Sequence, residues 1–399
     1  MDIYLKQEKF HQLVFRRYFV APLLPEEITI RKFLCYYQEL ACKEYFTEAK
    51  LHAFLGHLYD AKFQVYLTNY GSYSLFVYSL SAVEPLYVED DEYTIERLEE
   101  AFESLVIPKM GNHQADFSLF QRAYEIFESD LLSLEENTAS KAYQQAIELY
   151  FKGTNREFNS YGNLTDLKKI QPKDVYLYYK KLMTEESISI GTGNLDKKST
   201  VKAITLTPKT GYHFKERGTP KPYIEKKLRG HQGYLTLIYE TGIYADDPLY
   251  YACMFLNHIL GGTSSSYLFQ LVREKYGLCY SIHSTYLGAT GIIVITCVLD
   301  PMQVKKGLSA IEEAILEILK LQFSLEEIQK YYISNHNLAE DYIDTAIQNY
   351  ISDHYFLDTP KSFEEVNQMK KVSKEDILKV YQGLNKAFVY VLGGKINEK

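Results

Sequence analysis

At 399 residues the chain exceeds the roughly 250–300 residues at which a single core stops growing, so its length requires about two domains. Hydrophobic residues at 46% and charged residues at 24% are ordinary globular usage, which excludes a disordered or fibrous chain. A net charge of -8 with no Lys/Arg-rich block excludes the concentrated basic face that a nucleic-acid partner needs.

The amino end, Met1 to Lys9, carries charge where a secretory leader needs a continuous apolar core. The longest apolar run, Ile292 to Leu299, is interrupted by Thr296 and falls far short of the roughly 20 residues that span a bilayer. No membrane partner is expected, and the expected location is cytoplasmic. The five cysteines, Cys35, Cys42, Cys253, Cys279 and Cys297, are odd in number and contain no Cys-x-x-Cys, which points to reduced thiols. Tyrosine is abundant, 37 residues against no Trp, so amphipathic phenols must line much of the core boundary.

In chain order, Phe63, Val65 and Leu67 alternate as a strand, and Ile95, Leu98, Phe102 and Leu105 recur as one face of a helix. Tyr234, Leu235, Leu237 and Ile238 read as a strand, as does Ile292 to Ile295. Leu308, Ile311, Ile315, Ile318 and Leu319 form a second helical face. Ser324-x-x-Glu327 and Ser373-x-x-Asp376 have the form of helix amino-terminal caps.

These elements are written twice. Leu51 to Leu80 lies without gaps on Leu268 to Cys297, pairing Phe54 with Leu271, Tyr59 with Tyr276 and Val77 with Val294. Gly71 meets Gly288 in that alignment, each at a turn that suits positive φ. Upstream, Lys32 to Tyr36 falls on Leu249 to Cys253, and further on Gln171 to Leu182 matches Ser373 to Leu384. The expected fold is therefore α+β: two tandem homologous domains, each a mostly antiparallel sheet with helices packed on one face. The expected boundaries are 1–196, a linker over 197–224 dotted with Pro208, Gly211, Gly218, Pro220 and Pro222, and 225–399.

The histidines offer little metal chemistry. His52 and His57 are five apart, off a common helical face, and His336 with Glu340 reads as a surface i, i+4 contact. No phosphate loop is present, and Gly261-Gly262 with Gly277 lacks dinucleotide-fingerprint spacing.

The most specific stretch is Leu260-Gly261-Gly262-Thr263-Ser264-Ser265-Ser266-Tyr267-Leu268-Phe269, followed by Val272-Arg273-Glu274 and Gly277-Leu278-Cys279-Tyr280. It resembles the second-domain signature of the insulinase/pitrilysin zinc peptidases, the inverzincins. Phe151-Lys152-Gly153-Thr154, Tyr161-Gly162-Asn163 and Gly193-Asn194-Leu195-Asp196 extend the resemblance over nearly the whole chain.

Cleaving members of that family carry His-x-x-Glu-His on a first-domain helix. Here Lys32-Phe33-Leu34-Cys35-Tyr36 stands on the motif, with Lys for the first His, Cys for the Glu and Tyr for the second His. An ammonium repels a dication and a phenol is a poor ligand at neutral pH, so no zinc is expected in this chain. Asp130 falls near the family's distal carboxylate ligand and reads as a leftover or an ordinary surface acid. Arg273 and Tyr280, by the resemblance, reach the substrate backbone and the oxyanion from the opposite wall of a chamber.

The resemblance thus implies a non-catalytic subunit that pairs with a homologous zinc-bearing partner to enclose a peptide substrate, the linker acting as hinge. The small bacterial branch of the family includes subunits associated with leader-peptide trimming and with elongation factor P modification. Two other classes stand beside this reading: a purely structural scaffold subunit, and a free-standing peptide-binding module. A zinc peptidase acting alone is the least favoured.

Overall fold

The computed structural model describes residues 1–158, 161–195, 211–228, 231–318, 323–356 and 364–393. The first half runs β1 (Ile3–Lys6), β2 (Gln12–Pro22), α1 (Ile28–Leu40), α2 (Glu48–His57), β3 (Lys62–Tyr70), β4 (Tyr73–Val83) and α3 (Ile95–Leu105). A short hairpin, β5 (Met110–Gly111) with β6 (Gln114–Ala115), leads to α4 (Phe117–Glu136) and α5 (Thr138–Tyr150). Then come α6 (Leu164–Leu167), α7 (Pro172–Leu182) and β7 (Glu186–Gly193). The second half opens with β8 (Tyr223–Lys226), β9 (Gly233–Glu240), α8 (Tyr250–Asn257), β10 (Cys279–Leu287) and β11 (Ile292–Leu299). It closes with α9 (Val304–Glu317), α10 (Leu325–Ala339), α11 (Ile343–Ile351), α12 (Glu365–Lys371), α13 (Lys374–Gln382) and β12 (Asn385–Leu392).

The duplication appears in the wiring. One five-stranded sheet has the order β1-β7-β2-β4-β3 and the other β8-β12-β9-β11-β10, the same order strand for strand. In each, only the outermost pair is parallel, β1 with β7 and β8 with β12, and the rest is antiparallel. Matching helices carry matching caps: α7 begins with a capping box on Gln171 and Asp174, α13 with one on Ser373 and Asp376. Ser324 accepts the Glu327 N–H at 3.2 Å, as its spacing predicts. Leu319 lies outside the described residues.

The turns are less alike. Gly71 takes φ 54°, and a Cβ there would stand 2.0 Å from the Tyr212 carbonyl, which accepts the Ser72 N–H at 2.8 Å. In the second copy the left-handed residue is Gly291 at φ 61°, not the matched Gly288. That loop is two residues longer, and both Thr290 and Gly291 donate to Leu287 O, which moves the sharp turn to its end.

The chain forms two compact units, and neither is a continuous half of the sequence. The first comprises Met1–Ser133, Asn159–Tyr212 and Leu338–Pro360; the second comprises Leu134–Phe158, His213–Asn337 and Lys361–Lys399. Within the first unit, strand alternation sends Phe15 of β2 toward Phe102 of α3, ring centroids 6.3 Å apart, while Val14, Tyr18 and Val20 face the other way. That second face is covered by α11, through Ile343, Ile347 and Ile351. Within the second unit, Leu235, Leu237 and Ile295 pack with the helices α8 and α9, and Ile238, Val294, Phe388 and Tyr390 pack with α5 through Ala142, Ala146 and Ile147. Each sheet thus has its expected helical layer and, on the opposite face, one helix contributed by the other half of the sequence. Of the expected linker, residues 197–210 lie outside the described residues. Beyond it, Phe214 donates its N–H to Ala289 O at 2.9 Å and β8 pairs with β12.

Polar contacts fix the covering helices. Arg16 of β2, buried, donates to Asp344 of α11 at 2.6 Å, and Tyr390 of β12 donates to Gln145 of α5 at 2.5 Å. Tyr150 of α5 also donates to Glu240. Phenols supply such links throughout, as in Tyr78 to Gln38 at 2.5 Å, which explains how so many tyrosines fit in and around a core.

The helix α1 is anchored by a buried cation. Arg31, 3% exposed, donates to Glu185 Oε1 at 2.6 Å, Tyr178 Oη at 3.2 Å, Phe19 O at 3.1 Å and Ser74 O at 3.3 Å. Removing one member of a buried pair strands the other without water. Arg31→Ala is expected to cost about 3–5 kcal/mol in chemical denaturation, whereas Arg31→Met combined with Glu185→Leu recovers most of that loss.

Candidate functional site

Of the residues expected on the degenerate metal motif, Lys32, Cys35 and Tyr36 lie on α1 directly after the Arg31 anchor, and Asp130 lies on α4. Lys32 and Tyr36, four apart, share a half-buried face. Tyr36 Oη donates to Asp130 Oδ2 of α4 at 2.6 Å, and its ring stacks on Phe127, one turn earlier on α4, at 4.8 Å between centroids. The Lys32 ammonium stands 5.5 Å from the centroid of the Tyr36 ring, within cation–π range. Asp130 is therefore engaged: it accepts the hydrogen bond of the Tyr36 phenol.

Burial, and next the Asp130 carboxylate, hold the Tyr36 phenol well above its ordinary range, so it remains a protonated donor at neutral pH. Cys35 points inward, 2% exposed, with Sγ 3.6 Å from Arg31 O, and burial pushes its thiol up likewise. A zinc ligand must offer a free lone pair from imidazole, thiolate or carboxylate. These positions offer an ammonium, a neutral buried thiol and a phenol already donating. The set does not fit zinc, and among the described residues no group of three or more His, Cys, Asp or Glu could hold a metal ion. His52 and His57 are both exposed on α2, and His336 meets Glu365, Nε2 to Oε2 3.5 Å, in place of the expected Glu340.

In the second unit the glycine- and serine-rich motif has a packing role. A π-helical turn, His258–Gly262, contains Gly261, where a Cβ would lie 2.7 Å from Ser284 Oγ and 2.9 Å from the Ser284 backbone nitrogen. Only glycine lets this turn rest on β10, where Ser284 Oγ donates to Asn257 Oδ1 at 2.7 Å. A second π-helical turn, Phe269–Lys275, carries Arg273. Its guanidinium carbon lies 4.5 Å from the Phe269 ring centroid and its Nε 3.8 Å from Glu274, and the side chain is 42% exposed. Leu278 N–H returns to Val272 O at 3.0 Å, with Gly277 at φ 60° making the reversal into β10.

Tyr280 sits where the β10–β11 register shifts between Cys279 and Ser281. Such a bulge re-aims a side chain, and Tyr280 is 59% exposed, which removes it from the core. Both Arg273 and Tyr280 thus present donors at the surface of the second unit.

Sequence reasoning missed Glu39, one turn beyond Cys35. It is exposed, yet its Oε1 accepts the Val65 N–H at 2.8 Å and so occupies a backbone donor on the edge strand β3. No spacing signals this contact, because the strand register that brings Val65 to the helix is a tertiary property. It also missed that Cys279 and Cys297 share one sheet face and one core cluster, although a β10–β11 pairing read from the sequence brings them there.

Two sheets of identical wiring, with an α1 face that holds no metal-binding set, define an α+β chain built from two copies of one unit. Residues 169–333 match the family described as "Peptidase M16 inactive domain". Over 98% of its length, and 95% of the relative's, the chain is 23% identical to the "Probable inactive metalloprotease YmfF" of Bacillus subtilis (strain 168). It shares its fold with a conserved protein from Enterococcus faecalis V583, at TM-score 0.87 and 22% identity, covering 99% of this chain and 96% of that one. A peptidase M16 inactive domain from Pseudomonas fluorescens superposes with TM-score 0.75 at 16% identity, covering 99% of this chain and 96% of that one. The family match thus covers residues 169–333, while over nearly its full length the chain is similar to a probable inactive metalloprotease.

Two measurements check the local account. Gly261→Ala forces β10 and the π-turn apart and is expected to lower stability by about 1–3 kcal/mol in urea unfolding. Tyr36→Phe removes one partly solvated hydrogen bond to a carboxylate and is expected to cost about 1 kcal/mol, with the far-UV spectrum unchanged.

Proposed function

We propose that this chain is the non-catalytic subunit of a heterodimeric zinc peptidase that processes short or unfolded peptides. A homologous partner carrying His-x-x-Glu-His supplies the zinc-activated water. This chain supplies Arg273, Tyr280 and part of the wall around the peptide. The observation that carries the reading is the contrast within one chain: the metal positions on α1 hold Lys32, Cys35 and Tyr36, while the donors of Arg273 and Tyr280 remain exposed.

The chemistry is divided accordingly. As water attacks an amide, charge gathers on the former carbonyl oxygen; a guanidinium and a phenol held at that point stabilise it more in the transition state than in the ground state. Peptide adds as a strand to a sheet edge of the partner, where main-chain hydrogen bonds give affinity without one required sequence. The Glu39 contact supports that assignment, since it blocks Val65 on this chain's own edge strand. The five free cysteines support a reducing, cytoplasmic setting, and no described helix is long and apolar enough to cross a membrane. Leader-peptide trimming is one task that such an enclosure suits, because it admits only flexible chains.

The test is reconstitution with the zinc-bearing partner and a fluorogenic peptide. Arg273→Ala is expected to lower kcat/KM by about tenfold to a hundredfold while co-elution with the partner persists, and Tyr280→Phe by about tenfold. An unchanged rate with Arg273→Ala would leave a scaffold role, and a chain that captures peptides without any partner would leave a free-standing binding module.

A further inference from the structure

Three of the five thiols, Cys35, Cys42 and Cys253, are buried and pushed above their ordinary range by that burial. Cys279 is different. It is half-buried at the start of the edge strand β10, paired with Leu299 of β11, so its side chain points to the same sheet face as Leu299 and Cys297. Cys297 lies diagonally across, opposite Ile282, in the core cluster against which Cys279 packs. The strand register shifts between Cys279 and Ser281, so both thiols stand on one face at the end of the β10–β11 ladder, within one core cluster. The neighbouring Cys297 thiol, and further the Arg273 charge, lower the Cys279 thiol against the opposing effect of burial, while the buried Cys297 thiol is held high. One reachable nucleophile and one resolving thiol beneath it are the two parts that reversible thiol oxidation requires.

We propose that Cys279 and Cys297 form an oxidant-responsive pair: Cys279 reacts with a hydroperoxide and Cys297 resolves the product to an intrachain disulfide. In the first step the Cys279 sulfur attacks a peroxide oxygen, the O–O bond breaks, and water or an alcohol leaves, giving the sulfenic acid. In the second, the Cys297 sulfur attacks Cys279, the S–O bond breaks, and water leaves with the Cys297 proton. The two thiols lose two electrons, which reduce the peroxide. Thiol reductants reverse the change by exchange at the more exposed Cys279 sulfur. Because Cys279 immediately precedes Tyr280, the disulfide ties the strand that presents this phenol to β11. The pair stands on its own geometry, whatever the partner of the chain proves to be.

The test is peptide mapping of the full-length protein after limited hydrogen peroxide, with free thiols then blocked by iodoacetamide in denaturant. A Cys279–Cys297 linked peptide that dithiothreitol removes is expected. Cys297→Ala is expected to leave Cys279 as a sulfenic acid trapped by dimedone, and Cys279→Ser to abolish the oxidation. In the untreated folded protein, iodoacetamide is expected to label Cys279 at least roughly tenfold faster than Cys35, Cys42 or Cys253. Labelling of Cys279 no faster than those three, or peroxide-treated wild type without the linked peptide, overturns the proposal. The wild-type arms decide it even if a variant does not fold.

Discussion

The hydrogen bond from Tyr36 to Asp130 governs what the first unit can do. A phenol that spends its proton on a carboxylate, stacked on Phe127 beneath the Lys32 ammonium, fills the helix face where two imidazoles would converge on a cation. The face is not an empty metal site. It is a repacked surface in which a neutral donor, a carboxylate acceptor and a peripheral positive charge satisfy one another. A face so satisfied offers no set of free lone pairs with which to hold a metal ion and activate a water.

The rest of the fold serves to hold such faces in place. Arg31 locks α1 to β2, β4 and Glu185 immediately before Lys32, so the register of Lys32, Cys35 and Tyr36 along the helix is fixed. In the second unit, two π-helical turns and a bulge set the directions of Arg273 and Tyr280, and Gly261 makes the close approach that those turns require. A bulge of this kind re-aims a side chain, which is how Tyr280 comes to point away from the core.

Much of this was legible in the sequence, for identifiable reasons. A duplicated chain repeats its caps, its strand periodicity and its helix faces, so α7 and α13, or β4 and β11, announce each other. That Lys32, Cys35 and Tyr36 make a poor ligand set was legible because ligand chemistry is a matter of residue identity. The exchange of α5 and α11 was not, since the apolar stripes of Ala142, Ala146 and Ile147 or of Ile343, Ile347 and Ile351 say that a face is covered but not which sheet covers it. The contact of Asp130 with Tyr36, and that of Glu39 with Val65, carried no signal either, because a carboxylate's partner across elements depends on register. The turn at Gly288 misled because the alignment ignores a loop longer by two residues.

The central claim is that α1 cannot bind zinc while its phenol is committed to Asp130. Equilibrium dialysis of the purified chain against buffered zinc, with metal content read by elemental analysis, tests it directly. The expected result is no saturable zinc beyond that of a Lys32→Ala, Tyr36→Phe double variant. One tightly held zinc per chain, lost in that variant, would contradict it.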